Sequence, residues 1–334
     1  MGRAAYSDEQ LSLICLASIE GVGPRTIRRL MRAARSGPTP LADLLGMPAP
    51  ALVAELGVYA HVAPLVSAVR SPAEAAEQTL EELRALEARP VFEGEEDYPP
   101  SLARHLGELA PPVLFLLGDA EVLRRPTVGI AGSRTPSPLA EDAARGFAAG
   151  EAAAGLSVVS GGAAGIDTVA HHAALWSGAT VLVPPLGLAR FEFAAALGEG
   201  LPQGRWCAVG QFPLQCGWNN AHALIRNRTI VALSDAVVGF DPRDHGGTWH
   251  SCRTALQMGK PLFVVCGKAE APNRRALERL VRLGAQALDP GRMPEAGEFQ
   301  QLVESYEPPP RPRQWRLFEG QQDEGTPGDA DATR

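Results

Sequence analysis

Val128-Gly129-Ile130-Ala131-Gly132-Ser133-Arg134-Thr135-Pro136-Ser137 and Val158-Val159-Ser160-Gly161-Gly162-Ala163-Ala164-Gly165-Ile166-Asp167 share one plan. Each begins as a short apolar run, turns through glycine and enters a helical pattern. That plan aims bare backbone N–H groups and a helix N-terminus at one place, which suits an anion and above all a phosphate. Arg134 adds a fixed fork of donors that matches phosphate oxygens. The plainer alternative is that the glycines only let strand and helix pack closely. Two such loops, one carrying Arg134, favour the anion site. Gly132, Ser133, Arg134, Ser137, Ser160, Gly161, Gly162 and Gly165 are therefore candidate phosphate-binding residues.

Working outward, apolar strand-like runs recur at Val113–Leu117, Val128–Ala131, Ser157–Ser160, Thr180–Val183, Cys207–Val209, Ala236–Phe240 and Leu262–Cys266. Helical patterns fall between them at Pro138–Ala154, Asp167–Trp176, Ala221–Leu233, Thr248–Met258 and Asn273–Leu283. Near-continuous Val/Ile/Leu strands alternating with helices predict an α/β fold, a Rossmann-like doubly wound, mostly parallel sheet. Ser137 as N-cap, Pro138 in the first turn and Glu141 near the positive helix end mark a helix start. Residues 1–88 read as helical and strandless, a small all-helical domain. Residues 89–292 form the Rossmann-like domain, and 293–334 form a largely disordered tail rich in Pro, Gly, Asp and Gln.

The chain has 334 residues and a net charge of −7, so binding to nucleic acid requires a local basic patch rather than the whole surface. Five cysteines show no C-x-x-C pair, the pattern of reduced thiols in the cytoplasm. No apolar run approaches a membrane span, so no membrane partner is expected.

The second loop approaches the dinucleotide fingerprint, but Ser160 stands where its first glycine belongs. The next strand, Thr180–Val183, ends without the acid that would hold a ribose, which argues against a nicotinamide cofactor. Three further motifs stand out. Arg226-Asn227-Arg228 is either a phosphate and base-edge kit or a solvated helix face. Gly246-Gly247-Thr248 opens a helix after a strand and is a third candidate anion loop. Gly21-Val22-Gly23-Pro24-Arg25, followed by Arg28, Arg29, Arg32 and Arg35, resembles a helix-hairpin-helix, with Gly21, Gly23, Arg25 and Arg28 as secondary DNA contacts. It is otherwise an amphipathic helix with its arginines in water. His222, His245, His250 and Cys252 fit no standard zinc spacing, so no metal is expected. No nucleophile elbow, Walker loop or acid–base carboxylate pair is present.

These residues resemble the DNA-processing protein A (DprA/Smf) family. The match runs through Gly132-Ser133-Arg134 with Ser137, Val159-Ser160-Gly161 to Asp167 and His171, Arg226-Asn227-Arg228, Leu233-Ser234-Asp235-Ala236 and Gly259-Lys260-Pro261. Asp97-Tyr98-Pro99 and the N-terminal Gly-Val-Gly-Pro turn also fit. The chain reads as a divergent member without the family's C-terminal winged helix. Arg190-Phe191-Glu192-Phe193, Ala223-Leu224-Ile225 and His245-Gly246-Gly247-Thr248-Trp249 depart from the family pattern.

The resemblance implies a homodimeric, non-catalytic protein without cofactor that binds single-stranded DNA and loads the RecA recombinase during natural transformation. By carry-over, the first loop holds a DNA phosphate, Ser160, Gly161 and Gly165 build the neighbouring pocket, and Arg226 and Arg228 line the same groove. Phe191, Phe193 or Trp249 would stack on bases. The alternative is a nucleotide-binding protein or nucleoside-monophosphate hydrolase of the LOG/SLOG type, which the Gly246-Gly247-Thr248 loop also resembles. In the tail, Gln314-Trp315-Arg316-Leu317-Phe318 fits the Gln-x-x-Leu-Phe peptides that dock on the replication sliding clamp. Gln314, Leu317 and Phe318 then bind a clamp, or the stretch folds back on the body.

Overall fold

A computed structural model describes residues 6–268 and 271–308. Six helices come first: α1 (Asp8–Ala17), α2 (Pro24–Ser36), α3 (Leu41–Leu44), α4 (Ala49–Ala54), α5 (Ala63–Ser67) and α6 (Pro72–Ala85). Ser7 and Gln10 form a reciprocal capping box on α1, and Gly23 with Pro24 opens α2. Then follow β1 (Ala88–Phe92), α7 (Pro100–Leu106), β2 (Val113–Gly118), β3 (Thr127–Gly132), α8 (Pro138–Ala153), β4 (Ser157–Ser160) and α9 (Ile166–Ser177). The chain continues through β5 (Ala179–Leu182), α10 (Phe193–Leu197), β6 (Trp206–Gly210), α11 (Asn220–Leu233), β7 (Ala236–Phe240) and α12 (Gly247–Gln257). It closes with β8 (Leu262–Val265), α13 (Ala271–Arg282), β9 (Gln286–Leu288) and α14 (Ala296–Glu304).

The strands form one sheet in the order β1-β2-β6-β5-β4-β3-β7-β8-β9. From β6 to β9 every pairing is parallel, while β2 runs antiparallel to both β1 and β6. β4, β5, β7 and β8 are buried along their whole length, as strands covered on both faces must be. The α/β, Rossmann-like expectation therefore holds. Among the described residues no helix is long and apolar enough to cross a membrane.

The helical N-terminal region shares its core with the sheet edge. Leu16, Leu30 and Leu52 belong to the same buried cluster as Phe92, Phe115 and Ala208. Arg28 adds a polar latch: its Nε and Nη2 donate to the Ala110 carbonyl at 3.1 and 3.0 Å, and Nη2 lies 2.8 Å from Glu93. Arg28 was expected to touch DNA; instead it ties α2 to the segment before β2, with its side chain only 16% exposed.

Ordered structure also continues past the expected boundary at 292. Phe299 of α14 inserts between Phe147 and Phe263, with ring centroids 4.9 and 5.0 Å away. Fully burying such a ring contributes roughly 1.5–3 kcal/mol, enough to seat a short helix that composition alone assigns to a tail. The motif Gln314-Trp315-Arg316-Leu317-Phe318 lies outside the described residues.

Candidate functional site

β3 and β7 are neighbours, yet the chain leaves β3 toward β4, β5 and β6 on one side and leaves β7 toward β8 and β9 on the other. Their carboxyl ends bound the crevice where open α/β sheets take ligands. A recess opens there, lined by Gly132, Ser133 and Arg134 from the first loop, Arg226 and Asn227 from α11, and Gly246, Gly247 and Thr248 at the start of α12. Gly246 takes φ +89° as N-cap, so the first turn of α12 faces this recess with its amides uncapped by any side chain.

Two arginines meet the recess in opposite ways. Arg134 is exposed on its lip and has no ion pair among the described residues. Arg226 is buried, 7% exposed, with Nη1 3.8 Å from Oδ2 of Asp167. Burial pushes the Arg226 guanidinium below its usual range; Asp167 opposes this, and the charge of Arg134 adds to it. Burial likewise pushes the Asp167 carboxyl up, against the pull of Arg226 and of the Ala163 and Gly161 amides. Arg226 thus serves as a fixed positive floor rather than as a flexible finger.

The glycines of the second loop are used for packing. A Cβ on Gly161 would sit 1.1 Å from Arg226 Nη1, so only glycine leaves room for that guanidinium. Gly165, at φ +85°, lets the loop close on the first one: its Cβ would lie 2.4 Å from the Ser133 carbonyl, which accepts from Ile166 N at 3.2 Å. Gly132 is held bare by Ile166 on the same principle. Ser160 is fully buried and donates to the Ile130 carbonyl at 2.7 Å. Gly162 borders a different recess, beside Phe191. The second loop thus shapes the recess from behind; of Ser160, Gly161 and Gly165, expected to build the neighbouring pocket, Gly165 borders the recess beside Phe191 while Ser160 and Gly161 are taken up by packing.

Other expectations are also redrawn. Two residues along a helix is about 200° of rotation, so Arg228 points away from Arg226. It does not line the recess; it is half-buried, pushed down by burial and by the charge of Arg25. Trp249 is only 8% exposed and packs under Arg279, 4.7 Å from its ring. Phe191 and Phe193 meet edge to face away from the main recess. Among the described residues no group of three or more His, Cys, Asp or Glu is placed to hold a metal ion. His171 lies fully buried, its Nδ1 2.7 Å from Thr180 Oγ1.

Two residues were missed. Asp241, at φ +46° just after β7, accepts from Ser137 N and Oγ at 2.8 and 2.9 Å and from Gly267 and Lys268 N at 2.8 and 3.2 Å. Ser137 is thereby a helix cap and a loop tie instead of a ligand contact. Lys268, missed as well, donates from Nζ to the Thr135 carbonyl at 2.6 Å and brings a further cation to the first loop. An acid directly after a strand was the available signal, but its partners come from two distant loops.

Fold and recess together define a Rossmann-type protein with an anion-suited crevice at the switch point of its sheet. The family model of DNA recombination-mediator protein A matches residues 89–294, and the chain belongs to that family. Protein Smf of Escherichia coli is 31% identical over 193 residues, covering 57% of this chain and 51% of that protein. Protein Smf of Synechocystis is 25% identical over 305 residues, covering 84% of this chain and 71% of that protein. The chain therefore spans about half the length of the Escherichia coli relative. The X-ray structure of DNA processing protein A from Streptococcus pneumoniae superimposes with TM-score 0.65 at 21% identity, covering 90% of this chain and 99% of that one, a likeness of fold. DNA processing protein A from Helicobacter pylori, solved for its single-stranded DNA binding mode, gives TM-score 0.55 at 25% identity over 66% of this chain and 98% of that one.

Proposed function

We propose that this chain is a DNA-processing protein that binds single-stranded DNA in the crevice at the carboxyl ends of β3 and β7. The observation that carries the reading is Arg134: an exposed arginine without an ion pair, on the lip of a recess whose floor is the buried Arg226 and whose wall is the amide end of α12. The Helicobacter pylori relative's single-stranded DNA binding supports the choice of ligand. Phosphate contacts supply most of the affinity, so binding falls steeply with salt. Gly21, Gly23 and Arg25 remain as a secondary DNA contact, without Arg28.

The protein acts by binding, without cofactor or turnover. Asp167 is committed to Arg226, and Asp241 to four hydrogen bonds. Asp244, at the rim, sits beside His245 and Arg275 at 3.6 and 3.9 Å. This leaves none of these three carboxylates free as the general acid or base of the hydrolase alternative. Anisotropy of a labelled single-stranded oligonucleotide across salt, for wild type and Arg134→Ala, tests the reading, with release of free base from nucleotides assayed in parallel. Binding that ignores both salt and Arg134 overturns it, and base release above background replaces it with the hydrolase.

Within the same reading the protein works in the cytoplasm as a homodimer, serves natural transformation or recombination, and hands its strand to the RecA recombinase. The recombination-mediator description of its family supports this step. The test is RecA filament nucleation on oligonucleotide in the presence of wild type and of Arg134→Ala. For the tail, a peptide spanning Gln314 to Phe318 binds the replication sliding clamp and loses binding when Leu317 and Phe318 become alanine. A wild-type peptide that does not bind ends that part of the proposal.

A further inference from the structure

The groove does not stop at the phosphate recess. Arg134, Asn227 and Gly247 border it and also border a second recess, bounded further out by Trp218, Leu224 and Arg253. Trp218 lies in the loop between β6 and α11 and is 52% exposed. A tryptophan normally buries its ring, as Trp249 does at 8% exposure. Trp218 has no ring partner among the described residues, so packing gives no account of an indole at this position.

The chemistry around it is basic. Arg253, like Arg134, has no ion pair among the described residues. His250, beside Arg253 in the same recess, is pushed down to about 4 by burial and then by the charges of Arg228 and Arg253. The acid at this rim, Asp244, already faces His245 and Arg275. An exposed aromatic face that shares its recess with two uncommitted arginines, in a groove continuous with a phosphate recess, is the arrangement that takes alternating bases and phosphates of a single strand.

We propose that the second recess is a nucleobase subsite, in which Trp218 stacks on the base next to the phosphate held at Arg134, and Arg253 holds the following phosphate. The inference rests on the single-stranded DNA reading above and adds the residue that tells an unpaired base from a bare phosphate chain. A base inside a duplex has both faces covered and cannot use Trp218.

The experiment compares two probes on the full chain: a labelled twelve-residue oligothymidylate, and a phosphodiester strand of the same length with every base removed. Trp218→Ala is expected to weaken oligothymidylate binding about tenfold and to leave the abasic strand unchanged, while Trp218→Phe keeps most of the affinity. Arg253→Ala is expected to weaken both probes and to flatten the salt dependence. Because Trp218 is exposed, thermal midpoints of its variants should match wild type. Equal weakening of both probes, no weakening of either, or a changed oligomeric mass in Trp218→Ala overturns the subsite. If Arg134→Ala weakens binding and Trp218→Ala does not, the subsite alone falls. If salt and Arg134→Ala have no effect, the DNA reading falls and takes the subsite with it.

Discussion

The two glycine loops look alike as sequence and behave oppositely as structure. The loop after β3 turns its arginine outward, with Arg134 exposed and uncommitted. The loop after β4 turns inward: Gly161 yields its side-chain space to Arg226, Ser160 bonds into β3, and Gly165 locks onto Ser133. A glycine after a strand marks a close approach, and what approaches can be the protein itself. The contrast separates the groups that build the recess from the groups left free to bind.

The largest effect should come from breaking the buried pair. Arg226→Ala leaves the Asp167 carboxyl in the interior without its counter-charge, which costs roughly 3–5 kcal/mol. Denaturant unfolding measures it, and a loss below about 1 kcal/mol would mean that the pair is not the floor described. Next comes His171, beneath the same loop, pushed down to about 3 by burial and then by Arg226 and His172. That value lies below the unfolded histidine's value of about 6.5, so the unfolded chain takes up the proton first. Its contribution is complete above about pH 6.5 and falls by up to about 1.4 kcal/mol per pH unit toward pH 3. Burial pushes the Glu151 carboxyl up to about 7, which works in the opposite direction over this range. The quantity to plot is therefore the stability difference between wild type and His171→Gln at each pH; a flat difference refutes the linkage.

Arg134→Ala is the counterpart on the open loop. It should change stability by less than about 0.5 kcal/mol. Loss of its charge-assisted contacts should weaken oligonucleotide binding by about 1.5–3 kcal/mol. An unfolding midpoint that moves as far as that of Arg226→Ala would erase the distinction between the loops. The smallest effect is expected at Arg32→Ala, whose pair with Glu108 at 3.1 Å is more than half exposed on both sides. Such a pair contributes about 0–1 kcal/mol, and differential scanning calorimetry should barely detect its removal.

Much of the sheet was legible because its inner strands are short, apolar and bounded by helical periodicity. β1 was not: Ala88-Arg89-Pro90-Val91-Phe92 carries a proline and an arginine, which read as a break and are tolerated because the strand is an edge. β9 is only three residues long, too short for any period to show. In the site, Arg134, Asn227 and Gly246-Gly247 were legible from local motif chemistry. Arg228 could have been set apart from Arg226 by counting helical rotation. Trp218 could not be separated from Trp249, since their difference is burial, which the tertiary fold decides. Asp241 was invisible for the same reason, because its partners lie more than a hundred residues before it and some twenty-six after it.

Asp241 has a consequence for how the recess can change. One carboxylate holds the entrance of α8 through Ser137 and the exit of β8 through Gly267 and Lys268, while its own backbone carbonyl is held by Asn273 at 3.1 Å. A helix start and two strand ends tied through one residue should open as a single cooperative unit, their amides losing hydrogen-exchange protection together. The neighbouring loop from Arg243 to Gly247 contributes none of these ties. The frame of the recess therefore stays fixed even where this loop shifts, like a keyed arch behind a removable facing.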